Sequence, residues 1–305
     1  MLFAAAVLTL CLLLLAVVVP ERLARASWAG RSPGLALLLW QALGLAGGLL
    51  AIEVAVTLAL SPAGPTHLDA VRALAAGTAS GLPVWSYVAL AVGALVLLRL
   101  LSVLVASTAR TLRARRHHRV LVDMVATRNP LLADTRVLEH TVPVAYCLPG
   151  LRPRVVLSSG VLALLRDDEV RAVLAHEAAH VEQRHDVVVL PFVALRATFP
   201  GLRGVRTAQA EVALLVEMLA DDRAVRRHPR DVLARALYKV GAGAVPAGAL
   251  GVAGAGHGAV LVRAQRLLHP TGPLGLRFRL AILAATAVVL GLAPLGLLLP
   301  MLVGR

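Results

Sequence analysis

LAHEAAHVEQRHD, Leu174 to Asp186, places His176 and His180 four residues apart with Glu177 directly after the first. The run leading into it carries Asp167, Asp168 and Glu169, and Val170, Val173, Leu174 and Val181 recur at helical spacing. The stretch therefore predicts a helix with acids at its positive end and one face turned to a core. On such a helix both imidazoles stand on one stripe, where they can reach a single tetrahedral metal. Glu177 sits about 100° further round, placed to take a proton from a metal-activated water while leaving the ion to the histidines. Two surface histidines without a metal is the plain competing reading.

A catalytic zinc needs three protein ligands and an open position. His185 follows His176 by nine residues, half a turn out of phase on a continuous helix, which excludes it as the third ligand. Downstream, AEVALLVEMLADDRAVRR (Ala210 to Arg227) is a second helical pattern with Glu217 and Asp221 on one face. Glu217 completes a His, His, Glu set for Zn2+, and Asp221 can orient a ligating histidine from behind. Against this stands a solvated face on which the acids pair with Arg223, Arg226 and Arg227. Glu211 is an alternative ligand, without an acid four positions on.

The rest of the chain is built for lipid. Of its 305 residues 58% are hydrophobic and the mean hydropathy is +0.79, against roughly half apolar in a soluble domain. At about twenty residues per crossing, four runs qualify: 2–19, 35–60, 84–106 and 280–302. No basic residue precedes the first, whereas Arg22, Arg25 and Arg31 follow it, as for a retained anchor with its N-terminus outside. The loop from Ser61 to Pro83 carries Asp69 and Arg72, while Arg110, Arg113, Arg115, Arg116 and Arg119 crowd the exit of the third run. The positive-inside rule puts that exit in the cytoplasm. Arg263, Arg266, Arg277 and Arg279 precede the fourth run and agree, which leaves the C-terminus outside. Glu53 and Arg99 lie within spans at different depths, with Arg99 expected to snorkel to the inner headgroups.

The net charge of +14 is not a nucleic-acid footprint, because the arginine-rich stretches are poor in Phe and Tyr and offer no stacking platform. Cys11 and Cys147 are too few for a disulfide framework or a cysteine zinc cluster. The expected fold class is a mostly α membrane protein, four transmembrane helices with an inserted α+β peptidase domain. Residues 1–106 hold three spans, 107–240 a cytoplasmic metallopeptidase domain, 241–279 a Gly/Ala-rich tether with a short helix, and 280–302 the last span. HTVPVAYCLPG and PRVVLSSG read as two strands ahead of the motif helix. VVVLPFVALRATFP, Val187 to Pro200, is too short and too interrupted by Pro191 and Arg196 to span.

VAYCLPGLRPRVVLSSGVLALLRDDEVRAVLAHEAAHVEQRHD, followed by EMLADD and by VRAQRLLHP ahead of the last helix, resembles the BlaR/MecR family of integral-membrane zinc metallopeptidases. The resemblance implies a gluzincin domain between the third and fourth spans, with His176, His180 and Glu217 as ligands and Glu177 as base. It also implies a cytoplasmic winged-helix repressor of the BlaI/MecI type as partner. No Ser-x-x-Lys occurs, since the only lysine, Lys239, follows Ala236 by three, and the chain stops at Arg305. A penicillin-binding sensor domain is therefore not expected here. Two other readings share the motif or the membrane: a quality-control or CAAX-type peptidase of the HtpX class, and a non-catalytic membrane receptor. An intact Glu177 argues against the receptor. Lipid bilayer and a peptide substrate are the expected partners, direct nucleic-acid binding is not, and a homo-oligomer is neither required nor excluded.

Overall fold

Twelve helices and four strands make up the described residues, 1–78, 81–128, 135–148, 154–243 and 253–303, of a computed structural model. In chain order they are α1 (Leu2–Leu13), α2 (Val19–Ala24), α3 (Pro33–Leu60), α4 (His67–Ala75), α5 (Val84–Val125), β1 (Thr127–Arg128), β2 (Thr135–Leu138), β3 (Ala145–Leu148) and β4 (Arg154–Ser158). Then follow α6 (Ser159–Leu164), α7 (Asp167–Glu182), α8 (His185–Thr198), α9 (Arg203–Ala224), α10 (Arg230–Gly243), α11 (Ala253–Leu268) and α12 (Leu276–Val303). The chain divides into two compact units, Met1–Ser107 with Leu190–Val212 and Leu274–Arg305, and Thr108–Val189 with Ala213–Pro273.

Among the described residues three helical stretches are long and apolar enough to cross a membrane: Leu2–Ala24 and Pro33–Leu60 in the first unit, and Val84–Met124, which belongs to the first unit up to Ser107 and to the second from Thr108. The first is one continuous rod in which a π-helical turn, Leu14–Val18, joins α1 to α2. α12 forms a helix over the fourth expected run and packs on α1 and α3. Leu190–Val212 belongs to the first unit as well, where the sequence suggested part of the metallopeptidase domain. The reason is apolar packing: Phe192 is buried, and Phe192 and Leu195 lie against Gly44 on α3. Gly204 allows α9 its close approach, since a Cβ there would strike the carbonyl of Ala16. Pro191 is absorbed inside α8 instead of ending it. Arg99 Nη2 donates to the Ala197 carbonyl at 3.4 Å, serving the open C-terminal end of α8.

The second unit is built on a four-stranded sheet in the order β1-β2-β4-β3. β2 and β4 are parallel, and the outer pairs are antiparallel. β3 and β4 are the two strands the sequence announces. β1 and β2 were not legible, because neither shows an alternating apolar pattern. β3 is an edge strand, with Ala145 opposite Leu157 and Tyr146 opposite Val156. Val144 turns its N–H to Ser158 Oγ and its carbonyl to the Ser158 N–H, both at 2.9 Å. Strand alternation then aims the backbone groups of Ala145 and Cys147 at the open side.

α7 packs on β3, β4 and α10. Leu157, Val161, Val170, Val173 and Ala236 share one buried cluster, and Ala172, Leu233 and Leu267 belong to a second. Each buried Leu or Val contributes about 1.5–3 kcal/mol relative to exposure, so the packing of Val170, Ala172 and Val173 fixes the helix. Its start is fixed too: Glu169 Oε2 accepts the Arg166 N–H at 3.0 Å, and both Glu169 oxygens accept from Lys239 Nζ of α10 at 2.7 and 2.9 Å. Of the expected tether, 241–243 end α10, 244–252 lie outside the described residues, and α11 begins at Ala253.

Candidate metal centre

The buried stripe of α7 leaves His176 enclosed and His180 partly open. Glu217 reaches them from α9, and the three residues offer ligand atoms that all lie within 4.8 Å of one another. The nitrogen Nε2 of His176 lies 3.2 Å from Nε2 of His180 and 3.4 Å from Glu217 Oε2, and His180 Nε2 lies 3.5 Å from Glu217 Oε1. Ligands held tetrahedrally at zinc distances of 2.0–2.1 Å stand about 3.4 Å apart. The two Glu217 distances run to different carboxylate oxygens, all three are of the size one bound ion requires, and Arg263 Nη2 also stands 3.4 Å from His176 Nε2. Two imidazole nitrogens and a carboxylate are also the donor set zinc prefers in catalytic sites.

Behind this triangle lies a second layer. Asp221, one turn after Glu217 on α9 and fully enclosed, brings Oδ1 to 3.0 Å from His176 Nδ1, near but poorly aligned for a hydrogen bond. Asp221 is held in turn by Arg263 of α11, whose Nε and Nη2 donate to its two oxygens at 2.9 and 2.7 Å. The Nη1 of Arg263 reaches Glu217 Oε2 at 2.8 Å. Among the described residues Arg223 pairs with Glu182 at 3.0 Å instead of with Glu217 or Asp221, and Arg266 of α11 takes Asp222 at 2.7 Å.

The electrostatics suit a cation. Burial alone would lower the pKa of His176, but contacts with Asp221 and Glu217 outweigh it and raise the value to about 9. Burial would raise Glu217 and Asp221. The histidines and Arg263 hold Glu217 well below the usual carboxylate range, and Arg263 and His176 do the same for Asp221. The field that favours a proton on His176 equally favours a metal between the three ligands, and the two compete for the same nitrogen. Glu177 is half-buried beside His176, and its charge is among those that keep Arg263 protonated.

The fold brings His176, His180 and Glu217 within reach of one another, with Asp221 beside His176. Glu211 stands outside the ligand cluster, with its pKa raised by burial. Arg263 was read only as one arginine before the last span. It is one of 31 basic residues and lies 42 positions from Asp221, so no local pattern marks it. His185 was read as pointing away, which holds only if α7 continues. The helix ends at Glu182, Arg184 turns with φ +47°, and His185 is brought back, buried, with Nδ1 at 3.0 Å from His180 Nδ1. Burial and the neighbouring His180 lower its pKa to about 4, so it is neutral at pH 7.

A helix carrying His-Glu-x-x-His, a carboxylate from the following long helix and a small sheet beside them define a metallopeptidase-type centre. Residues 110–215 match the model of Peptidase family M48. No curated protein and no solved structure gives a significant match. The matched segment is about a third of the chain; it includes His176, Glu177 and His180 and stops two residues before Glu217. It supports a zinc metalloprotease in a chain with apolar helices suited to a membrane. It does not carry the BlaR/MecR assignment.

Proposed function

We propose that the protein is a membrane-bound zinc metalloendopeptidase that cuts extended segments of protein substrates. The observation that carries this is the gathering of His176, His180 and Glu217, with contacts of 3.2, 3.4 and 3.5 Å between their nitrogens and carboxylate oxygens, next to Glu177. Zinc held by His176, His180 and Glu217 would supply Lewis-acid activation of water and polarisation of the scissile carbonyl. The carboxylate of Glu177 takes the proton from the attacking water and returns it to the leaving amine. Asp221 and Arg263 keep His176 and Glu217 in place.

The open edge of β3, beside α7, offers the Ala145 N–H and carbonyl to a peptide main chain, so only a segment that can extend as a strand is accepted. The arginine distribution puts this domain in the cytoplasm, with the N- and C-termini outside. A repressor linker is the substrate implied by the resemblance to BlaR/MecR proteins, and unfolded membrane protein is the substrate of the quality-control reading. Both supply such a segment.

The test compares the full chain in detergent with Glu177→Gln and His176→Ala, reading bound zinc and cleavage of an unfolded protein such as reduced casein. Wild type and Glu177→Gln should hold about one zinc, and His176→Ala should lose most of it. Cleavage should fall at least a hundredfold in Glu177→Gln, the scale of lost general-base catalysis. Near wild-type cleavage by Glu177→Gln would reject it as the base, and stoichiometric zinc in His176→Ala would reject the site. Co-expression with a neighbouring winged-helix repressor then separates the substrates: repressor of equal length and amount with wild type and Glu177→Gln would favour quality control.

A further inference from the structure

The metal ligand His180 is backed by a histidine, and that histidine by an amide. His180 Nδ1 lies 3.0 Å from His185 Nδ1, with the rings nearly perpendicular at 87°, and His185 Nε2 lies 2.7 Å from Gln183 Oε1. A neutral imidazole has one N–H donor and one acceptor nitrogen. The Gln183 carbonyl can only accept, so His185 carries its hydrogen on Nε2 and presents a lone pair at Nδ1. That lone pair accepts from His180 Nδ1–H. His180 is then left with its lone pair on Nε2, the nitrogen that faces His176 and Glu217.

Starting from the metal gives the same order in reverse. An ion in the triangle requires a lone pair on His180 Nε2, hence a hydrogen on Nδ1, hence an acceptor at His185 Nδ1 and a donor at its Nε2. Rotation of the Gln183 amide would present N–H groups to His185, invert its tautomer, and set two N–H groups against each other unless His180 gave up its metal-facing lone pair.

Resting on the zinc reading above, we infer that Gln183 and His185 are positioning residues that fix the tautomer of His180 for metal binding. They do so by a two-step hydrogen-bond relay that runs outward from the ligand. Arg184, between the two, sits at φ +47°, in the left-handed region that L-residues avoid. His185 is buried while Gln183 is exposed, so the relay ends at the surface. His176 is treated differently, backed by the carboxylate of Asp221.

The experiment uses the purified full chain, zinc itself as probe and a competing chelator to set the free concentration. His185→Phe keeps a ring but removes the acceptor, and its zinc affinity should fall ~10- to 100-fold, the usual cost of losing an outer hydrogen bond to a ligating histidine. His185→Asn, whose side-chain oxygen can accept from His180 Nδ1–H, should recover most of that loss. Gln183→Met, at an exposed position, should weaken zinc binding and give a mixed His185 tautomer in 15N spectra of the loaded protein, where wild type shows hydrogen on Nε2 alone. Wild-type affinity in a folded His185→Phe, or a His185 hydrogen on Nδ1 in the wild type, would overturn the relay. Should His185→Phe fail to fold, unchanged affinity and tautomer in Gln183→Met would overturn it instead. Failure of the wild type to bind zinc at all would remove the metallopeptidase reading, and the relay with it. Tight wild-type binding with indifferent variants removes the relay alone.

Discussion

Arg263 shows how much of the centre depends on one side chain. It is buried, and its guanidinium makes two bonds to the fully enclosed Asp221 and one to Glu217. Its pKa is raised, because burial, which favours the neutral form, is outweighed by Asp221 and then Glu217, so it remains a cation. Taking one partner out of a buried pair leaves the other charge uncompensated, at a cost of about 3–5 kcal/mol. Arg263→Met should therefore lower the melting temperature measurably, and Arg263→Lys should recover only part, since a single ammonium cannot reproduce a three-pronged planar donor. An unchanged melting temperature in Arg263→Met would show that Asp221 is held by something else. The ligands were legible because a helix converts spacing of four into proximity. Arg263 was not legible, because its contact with Asp221 joins two helices with α10 and a Gly/Ala-rich stretch between them.

Among the elements, α7 is the one whose placement decides whether the site exists, and its first turn is pinned by Glu169. Burial pushes the Glu169 carboxyl up, but the hydrogen bonds from Lys239 and the Arg166 backbone outweigh burial and hold it below its ordinary value of 4.5. A folded-state pKa depressed in this way stabilises the fold at every pH above the unfolded value and is lost as pH falls through the folded one. Wild type should therefore melt higher than Glu169→Gln at neutral pH, and the gap should close as pH is lowered below about 4.5. A gap that stayed constant with pH would show that the charge of Glu169 is irrelevant. Acidic residues before an apolar helical repeat announced this helix start. Its partner Lys239 was noted only as the chain's sole lysine. The end of α7 was misread because the phase argument for His185 carried the helix past Glu182, and a left-handed Arg184 has no signature in composition.

At the scale of the whole molecule the spans were the easiest feature to read, because a run of about twenty apolar residues needs no tertiary information to recognise. Leu2–Ala24, Pro33–Leu60 and Val84–Met124 form helices long and apolar enough to cross, and α5 continues to Val125, well past the apolar run that ends near Ala106. Sidedness is a separate matter and rests on the arginines. Around the second loop only Arg72 is basic, whereas Arg110, Arg113, Arg115, Arg116 and Arg119 follow the third run, and basic residues near span ends are retained in the cytoplasm. Single cysteines at Thr78 and at Arg116, both exposed positions, can be introduced into a chain in which Cys11 and Cys147 are replaced. A membrane-impermeant maleimide should then label the cysteine at Thr78 on intact cells and the cysteine at Arg116 only after the membrane is opened. Labelling at Arg116 on intact cells would reverse the orientation and turn the region that follows α5, with its metal ligands, outward. Cytoplasmic repressors would then be out of reach. The zinc chemistry would be untouched by that outcome, because the ligand triangle depends on α7 and α9 and not on which side of the bilayer they face.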